Sequence, residues 1–191
     1  MEDNRIIKQS IVAGMLIGFG VVINTLMQPP ILGALLFSFG LLTIIHLKLP
    51  LYTGRVGFIH NKNPLISILF FNMLGILIII LLYTYLNKDF FSMITAAALN
   101  KFSKSYSQMF IGGILCGMLI HFAVKCKQQI ITIGAIIIFI LIGAEHCIAD
   151  FPYFMFIAHQ NFIFFFKLIL VIIGNSFGAI AIELLVGDDN G

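Results

Sequence analysis

The most constraining feature of the sequence is a polar segment, residues 143–152, that lies between two strongly apolar stretches. It carries Glu145, His146 and Asp150 in quick succession. The interior of a bilayer offers no hydrogen bonds, so an interrupted helix with ionisable side chains persists there only against other protein or along a water-filled path. The segment therefore predicts a permeation or transport pathway with His146 at its centre.

Composition places this segment inside a membrane. The chain has 191 residues, of which 60% are hydrophobic and 10% are charged, against about 25% charged residues in soluble proteins. A spanning helix needs about 20 apolar residues, so the chain has room for about six spans and no additional domain. The net charge of +3 comes from scattered basic residues, a distribution that does not indicate a nucleic-acid partner.

The apolar stretches fall into two kinds. Four are long enough to cross a bilayer without interruption: residues 8–27, 65–87, 106–125 and 162–186. Two are interrupted, so that each predicts a broken helix: residues 32–47 with 55–60, and residues 129–143 with 151–158. We expect the connection at residues 88–105 to be polar and partly helical.

The two halves of the chain follow the same order of whole, broken and whole helix. The third helix of each half also carries Asn-x-x-Gly, at Asn72 and again at Asn175. Three spans per half give the halves opposite orientations, and such inverted repeats form binding sites at their interface near the midplane. The sequence thus predicts an all-α membrane protein with one channel domain, residues 1–191, built from aquaporin-like inverted repeats at about 8–87 and 106–186.

The distribution of lysine and arginine predicts the orientation. Inside loops carry more basic residues than outside loops, and an inside N-terminus gives the larger number to the inside. The inside set is Arg5, Lys8, Lys62, Lys125 and Lys127, and the outside set is Lys88, Lys101 and Lys104. An even number of spans then puts the C-terminus, with Asp188 and Asp189, on the inside as well.

Three segments in order resemble the formate/nitrite transporter family of pentameric anion channels. Residues 37–41 and 51–54 resemble the second helix of the family and its Leu-Phe-Thr-Gly loop. Residues 145–150 resemble the Glu-His-Ser-Val-Ala-Asn signature. Lys101, followed by residues 113–115 and 123–124, resembles the stretch that contains the vestibule lysine.

This resemblance implies a non-enzymatic homopentamer of the bacterial inner membrane, with one pore per protomer and no cofactor. The implied cargo is a small monovalent weak-acid anion such as formate, nitrite or hydrosulfide, carried alone or jointly with a proton. Weak acids suit an apolar path because the neutral conjugate acid avoids the desolvation cost that an isolated anion meets.

The resemblance also assigns roles to polar residues. His146 is the pore histidine, with an unperturbed pKa near 6.5, although a lone histidine on an apolar helix is more often a buried core residue. Thr53 is its partner across the pore, or a loop threonine that bonds its own backbone. Glu145 braces the break by accepting backbone N–H bonds. Lys101 attracts anions at the outer mouth, and Lys104 is a second vestibule charge or a solvated lysine.

Apolar constrictions complete the implied pathway, because apolar rings exclude hydrated ions by dewetting. One constriction comprises Phe37, Ile120 and Phe139, and the other comprises Leu41, Leu51 and Tyr52. The chain departs from the family pattern at four positions: Tyr52, Arg55, Gly117 and Asp150. Gly117 also forms a small-xxx-small pair with Gly113, as Gly174 does with Gly178, which predicts close helix packing within or between protomers.

Three other functions compete with a channel for anions. Glu145 and His146, with Asp150, could serve a membrane-embedded hydrolase or metalloenzyme, although no H-E-x-x-H is present. A neutral-solute channel is the second alternative, but the sequence lacks paired Asn-Pro-Ala turns. A non-conducting scaffold is the third. The remaining histidines lack a metal-ligand spacing: His46, His60, His121 and His159.

Overall fold

A computed structural model describes residues 2–60, 63–126, 128–158 and 162–187. In these ranges the chain is all-helical, with nine helices: α1 Glu2–Leu26, α2 Pro30–His46, α3 Tyr52–Arg55, α4 Leu65–Leu86, α5 Asp89–Phe102, α6 Tyr106–Cys126, α7 Gln129–Leu141, α8 Cys147–Ile157 and α9 Ile163–Val186. The predictions for His159 and for the charges at Lys62, Lys127, Asp188 and Asp189 concern residues outside these ranges.

Four of the helices are long and apolar enough to cross a membrane: α1, α4, α6 and α9. The shortest, α6, has 21 residues, which at 1.5 Å per residue reaches about 31 Å, the thickness of a hydrocarbon core. The apolar helices α2, α7 and α8 have 17, 13 and 11 residues and are too short to cross alone. The prediction of a multi-pass, all-helical membrane protein is therefore confirmed.

Glycines bring the long helices together in two pairs. A Cβ atom on Gly14 of α1 would lie 2.0 Å from the carbonyl oxygen of Asn72 on α4. A Cβ on Gly117 of α6 would lie 2.2 Å from the carbonyl oxygen of Asn175 on α9, and one on Gly178 would lie 2.1 Å from that of Ile114. The glycine pairs of α6 and α9 thus pack against each other within one protomer.

The first break separates α2 from α3. Beyond the end of α2, Lys48 adopts a left-handed φ of 55° in a turn, and α3 begins at Tyr52. The side chain of Asn72, which is fully buried, holds this turn. Its Oδ1 accepts from the Tyr52 N–H at 2.8 Å, and its Nδ2 donates to the carbonyls of Pro50 at 3.0 Å and Ser10 at 2.8 Å.

The second break, between α7 and α8, is held in the same way. Gly143 has a φ of 69°, and α8 begins at Cys147. The Oδ1 of the buried Asn175 accepts from the Cys147 N–H at 2.9 Å, and its Nδ2 donates to the carbonyls of Glu145 and Gly113, each at 2.8 Å. Each break therefore has its backbone satisfied by one asparagine of the following long helix.

Three local predictions were wrong. The expected helix at residues 55–60 is instead the single turn Tyr52–Arg55, followed by turns. The piece expected at residues 151–158 begins earlier, at Cys147, because His146 caps the helix and accepts the Ala149 N–H at 3.2 Å. The connection after α4 is not mainly polar: α5 buries Phe90, Ile94, Ala98 and Phe102 completely.

Candidate functional site

The two breaks meet through one pair of side chains. The Thr53 Oγ1 lies 2.9 Å from the His146 Nε2, and the two residues are 0% and 2% exposed. Thr53 belongs to the one-turn helix α3, and His146 is the N-cap of α8. The predicted contact between Thr53 and His146 is therefore present.

The hydrogen bonds of His146 define its tautomer. Its Nδ1 accepts from the Ala149 N–H, so in the neutral ring the hydrogen is on Nε2. Nε2–H then donates to the Thr53 Oγ1. The hydroxyl hydrogen of Thr53 remains able to donate to another acceptor at the same place.

A small cavity of about 100 Å³, which we call the narrow cavity, lies on one side of this pair. Phe37 and Phe139 line it together with His146. The Phe139 ring stacks on the imidazole with centroids 6.0 Å apart, and Phe37 packs edge-on against Phe139 at 6.1 Å. Lys101 and Asp150 supply charged groups to the same wall.

A larger cavity of about 510 Å³, the wide cavity, lies beside α3 and the end of α2. Leu41 and Leu51 line it, and each is 1% exposed. Lys48 and Arg55 also line it, and the Arg55 guanidinium donates to the Lys48 carbonyl at 3.2 Å. No acidic residue is among the described residues that line the wide cavity.

Four of the six residues predicted to form constrictions line these cavities, and two do not. Ile120 is buried, at 1% exposure, but lines neither cavity. Tyr52 also lines neither, because its hydroxyl points to α9 and shares a hydrogen bond with the Ser176 Oγ at 2.8 Å.

A buried charge cluster stands beside the narrow cavity. The Lys101 Nζ contacts Glu145 Oε2 and also lies 2.9 Å from Asp150 Oδ1. The Lys104 Nζ donates to Glu145 Oε1 at 2.5 Å and to the Gly143 carbonyl at 2.8 Å. Helix α5, which packs on α8, carries Lys101 in its last turn and ends two residues before Lys104, so that both lysines reach the second break.

Two predictions about this cluster need correction. The carboxylate of Glu145 accepts from Lys101 and Lys104, and not from backbone N–H groups of the break. There the Cys147 N–H donates to Asn175, and the Glu145 N–H donates to the Gly112 carbonyl. Two carboxylates contact Lys101, and its attraction of anions at the outer mouth stays a prediction. Lys104 is an ion-pair partner and not a merely solvated lysine.

The sequence analysis missed two groups of polar residues. The role of Asn72 and Asn175 was not foreseen, although the repeated Asn-x-x-Gly marked both positions. His121, Lys125 and Glu183 form a second buried network, in which Glu183 Oε2 is 2.7 Å from the His121 Nε2 and 2.8 Å from the Lys125 Nζ. The sequence feature that indicates this network is the spacing of four residues between His121 and Lys125, which puts both side chains on one face of a helix.

The cluster around the second break does not resemble a metal centre. Among the residues that the structure describes, no group of three or more His, Cys, Asp or Glu side chains converges as ligands. Two lysines occupy the carboxylate of Glu145, so it is not free to act beside His146 as a general base.

Comparisons with known proteins agree with this geometry. The structure resembles a pentameric formate channel with formate bound, with a TM-score of 0.79, 23% identity, and coverage of 97% of this chain and 95% of that chain. It also resembles an FNT family ion channel, with a TM-score of 0.80, 21% identity, and coverage of 94% and 87%. No curated protein matches the sequence. The formate/nitrite transporter profile matches residues 2–186, and the chain is therefore a member of the formate/nitrite transporter family.

Proposed function

We propose that the protein is a channel for small monovalent weak-acid anions such as formate, nitrite or hydrosulfide, and not an enzyme. The observation that carries this proposal is the buried contact between Thr53 and His146, one residue from each break. His146 lines the narrow cavity, and Gly54, the residue after Thr53, lines the wide cavity. Membership in the formate/nitrite transporter family supports it. Intramembrane polar residues that face a cavity are typical of a solute pathway.

The side chains along this path have complementary tasks. Leu41 and Leu51 on one side, and Phe37 and Phe139 on the other, exclude hydrated ions by dewetting. A solute that has lost water then needs a hydrogen-bond donor at the centre. The hydroxyl of Thr53 and the Nε2–H of His146 are the donors that the two breaks supply there.

We also propose that the helices form six spans in two inverted, aquaporin-like repeats within one channel domain. In this arrangement α2 with α3, and α7 with α8, are the broken spans. The matching hydrogen bonds of Asn72 and Asn175 support it. Each makes two bonds to equivalent parts of its own break and one to the first long helix of its half, α1 or α6.

The proposed assembly is a homopentamer in a bacterial inner membrane, with both termini cytoplasmic. The resemblance to a structure described as a pentameric formate channel supports the pentamer. Large apolar side chains on the outer helix faces support contact with lipid or with neighbouring protomers: Phe39, Ile66, Tyr85 and Leu185 are 70%, 85%, 88% and 81% exposed. The basic residues near the ends of α1 and α6 support the orientation.

Flux measurements on purified protein in proteoliposomes test the proposal. Formate, nitrite and hydrosulfide are offered separately to vesicles with wild type, with His146→Phe and with no protein. We expect wild type to carry at least one of them faster than empty vesicles. His146→Phe, which deletes a donor at the centre, lowers that flux about tenfold or more.

The matched control is His46→Phe, since His46 is exposed at the end of α2 and lines neither cavity. It is expected to keep the wild-type flux. Equal leakage of all three solutes from wild-type and empty vesicles would contradict the proposal.

A further inference from the structure

Tyr52 is tied to two different long helices. It is the first residue of α3 and is 7% exposed. Its N–H donates to the Asn72 Oδ1 of α4 at 2.8 Å, and its hydroxyl lies 2.8 Å from the Ser176 Oγ of α9. Because Ser176 donates its own hydroxyl hydrogen to the Ile172 carbonyl at 2.8 Å, it accepts from Tyr52 in this pair. Tyr52 therefore anchors α3 to α4 through its backbone and to α9 through its side chain.

Helix α3 depends on such anchors because it is a single turn of four residues, Tyr52–Arg55. An isolated helix of this length is not stable, since few hydrogen bonds offset the cost of ordering its backbone. The same turn carries Thr53, whose Oγ1 contacts the His146 Nε2, and the preceding residue, Leu51, lines the wide cavity. The bonds of Tyr52 therefore bear directly on the position of the central contact.

Helix α9 supports both members of the central contact through two consecutive residues. Asn175 bonds the backbone on both sides of His146, at 2.9 and 2.8 Å. Ser176, the next residue, bonds Tyr52, which precedes Thr53 in the chain. Because the positions of consecutive residues in a helix are fixed relative to each other, one stretch of α9 defines the separation between Thr53 and His146.

The hydroxyl bond is an addition to the support that the two breaks share. Asn72 accepts from the Tyr52 N–H in the first break, and Asn175 accepts from the Cys147 N–H in the second, so Tyr52 and Cys147 hold equivalent positions. Cys147 has no phenol, and the residue after Asn72 is Met73, which has no hydroxyl. The bond is therefore not needed to form a break, which indicates a role at the central contact.

We propose that Tyr52 is a positioning residue, whose bond to Ser176 holds the Thr53 hydroxyl against His146 and keeps this contact too narrow for solutes bulkier than formate, nitrite or hydrosulfide. Without the bond, α3 gains freedom to move away from α8. Tyr52 lines neither cavity, so it acts through the position of Thr53 and not as a contact of the solute. This inference rests on the proposed function and adds a basis for selection by solute size.

The test compares two fluxes into proteoliposomes that contain the full-length protein. One solute is propionate, a bulkier monocarboxylate, and the other is whichever of formate, nitrite and hydrosulfide the wild type carries fastest. The measured quantity is the ratio of the propionate flux to the flux of the small solute, at one pH and at equal concentrations. Differences in ionisation between the solutes cancel when this ratio is compared between proteins. A loss of folded protein lowers both fluxes and leaves the ratio unchanged.

The variant Tyr52→Phe deletes the hydroxyl and keeps the ring. We expect it to raise the flux ratio about fivefold, which corresponds to the net contribution of one neutral hydrogen bond. Ser176→Ala removes the acceptor and should raise the ratio by the same factor, and the double variant should show no further rise because both changes delete one bond. The matched control is Tyr85→Phe, because Tyr85 is 88% exposed on α4 and lines neither cavity. It should keep the wild-type ratio.

The outcomes separate this inference from the function on which it rests. If wild-type vesicles carried none of the three small solutes faster than empty vesicles, both would be overturned. If the wild type carried one of them, but Tyr52→Phe and Ser176→Ala kept its flux ratio, the role of Tyr52 alone would be overturned. Multiplying effects in the double variant would do the same, because the two substitutions would then not report one shared bond. If Tyr52→Phe does not fold, the ratio for Ser176→Ala decides.

Discussion

The two breaks have the same backbone support and very different charges. At each break, one buried asparagine makes two hydrogen bonds to the break itself. A third bond joins it to a neighbouring long helix, α1 or α6. The first break contributes the neutral Thr53, whereas the second places Glu145 and Asp150 against Lys101 of α5 and Lys104, which follows that helix. We infer that the asparagines set the backbone geometry of both breaks, whatever charged side chains lie beside them.

The two cavities extend this comparison. The wide cavity has Lys48 and Arg55 in its lining and no described acidic residue. The narrow cavity has Lys101 compensated by Asp150. A positive field that attracts anions is therefore expected on the wide side, and a neutral wall on the narrow side.

The largest effect is expected from removal of either asparagine. Asn72→Ala and Asn175→Ala each leave two buried backbone groups of a break without the partner described above, and each removes a bond to a neighbouring helix. The cost is on the order of 4 kcal/mol in the free energy of unfolding. Thermal unfolding in detergent should show similar, large losses for both. Asn100→Ala, at an exposed site on α5, is the control. A large loss of stability for only one of the two asparagine variants would contradict the view that both breaks are supported in the same way.

A smaller loss of stability is expected from Lys101→Gln. The substitution leaves the carboxylates of Glu145 and Asp150 with less compensation in a buried cluster, which costs about 3 kcal/mol because the lysine is only 22% exposed. Combining it with Asp150→Asn should restore part of the loss. If Lys101→Gln alone were as stable as the wild type, the ion pairs of Lys101 with Glu145 and Asp150 would not contribute to stability as described.

The smallest effect is expected from Arg55→Gln in the wide cavity. Arg55 has no carboxylate partner among the described contacts, so its removal should leave the unfolding temperature nearly unchanged. Formate flux at low ionic strength should fall about threefold, and the difference should diminish near 0.15 M salt because exposed charges are then screened. Lys88→Gln, an exposed lysine outside both cavities, is the control. If wild type and Arg55→Gln had equal formate flux at low salt, the wide cavity would not attract anions through Arg55, and the expected electrostatic difference between the two cavities would be contradicted.

Much of this architecture could be predicted from the sequence, because the helices and the breaks each depend on residues that are close together in the chain. Apolar runs mark the long helices, and residues that cannot remain unpaired in lipid mark both breaks. The contact between Thr53 and His146 was implied by the resemblance to the family, in agreement with the expectation that the two breaks face each other.

The charge cluster could not be predicted, since its partners are distant in the chain. Lys101 and Lys104 lie 44 and 41 residues from Glu145, and only the packing of α5 on α8 brings them together. The buried face of α5 was also missed, because exposed apolar residues, Phe91 and Leu99 among them, lie between its buried side chains and obscure the pattern. Contacts of this kind depend on tertiary structure and not on local propensity.

The central claim is that the solute passes the contact between Thr53 and His146. The most direct test is formate flux in proteoliposomes with Thr53→Val, which deletes the hydroxyl and keeps the side-chain volume. Thr84→Val is the matched control, because the Thr84 hydroxyl bonds only the Ile80 carbonyl of its own helix in the described structure. Loss of a hydrogen bond to a charged or polar solute predicts a fall in flux of about tenfold or more for Thr53→Val, with Thr84→Val unchanged. Wild-type flux in Thr53→Val, or an equal fall in both variants, would contradict the claim.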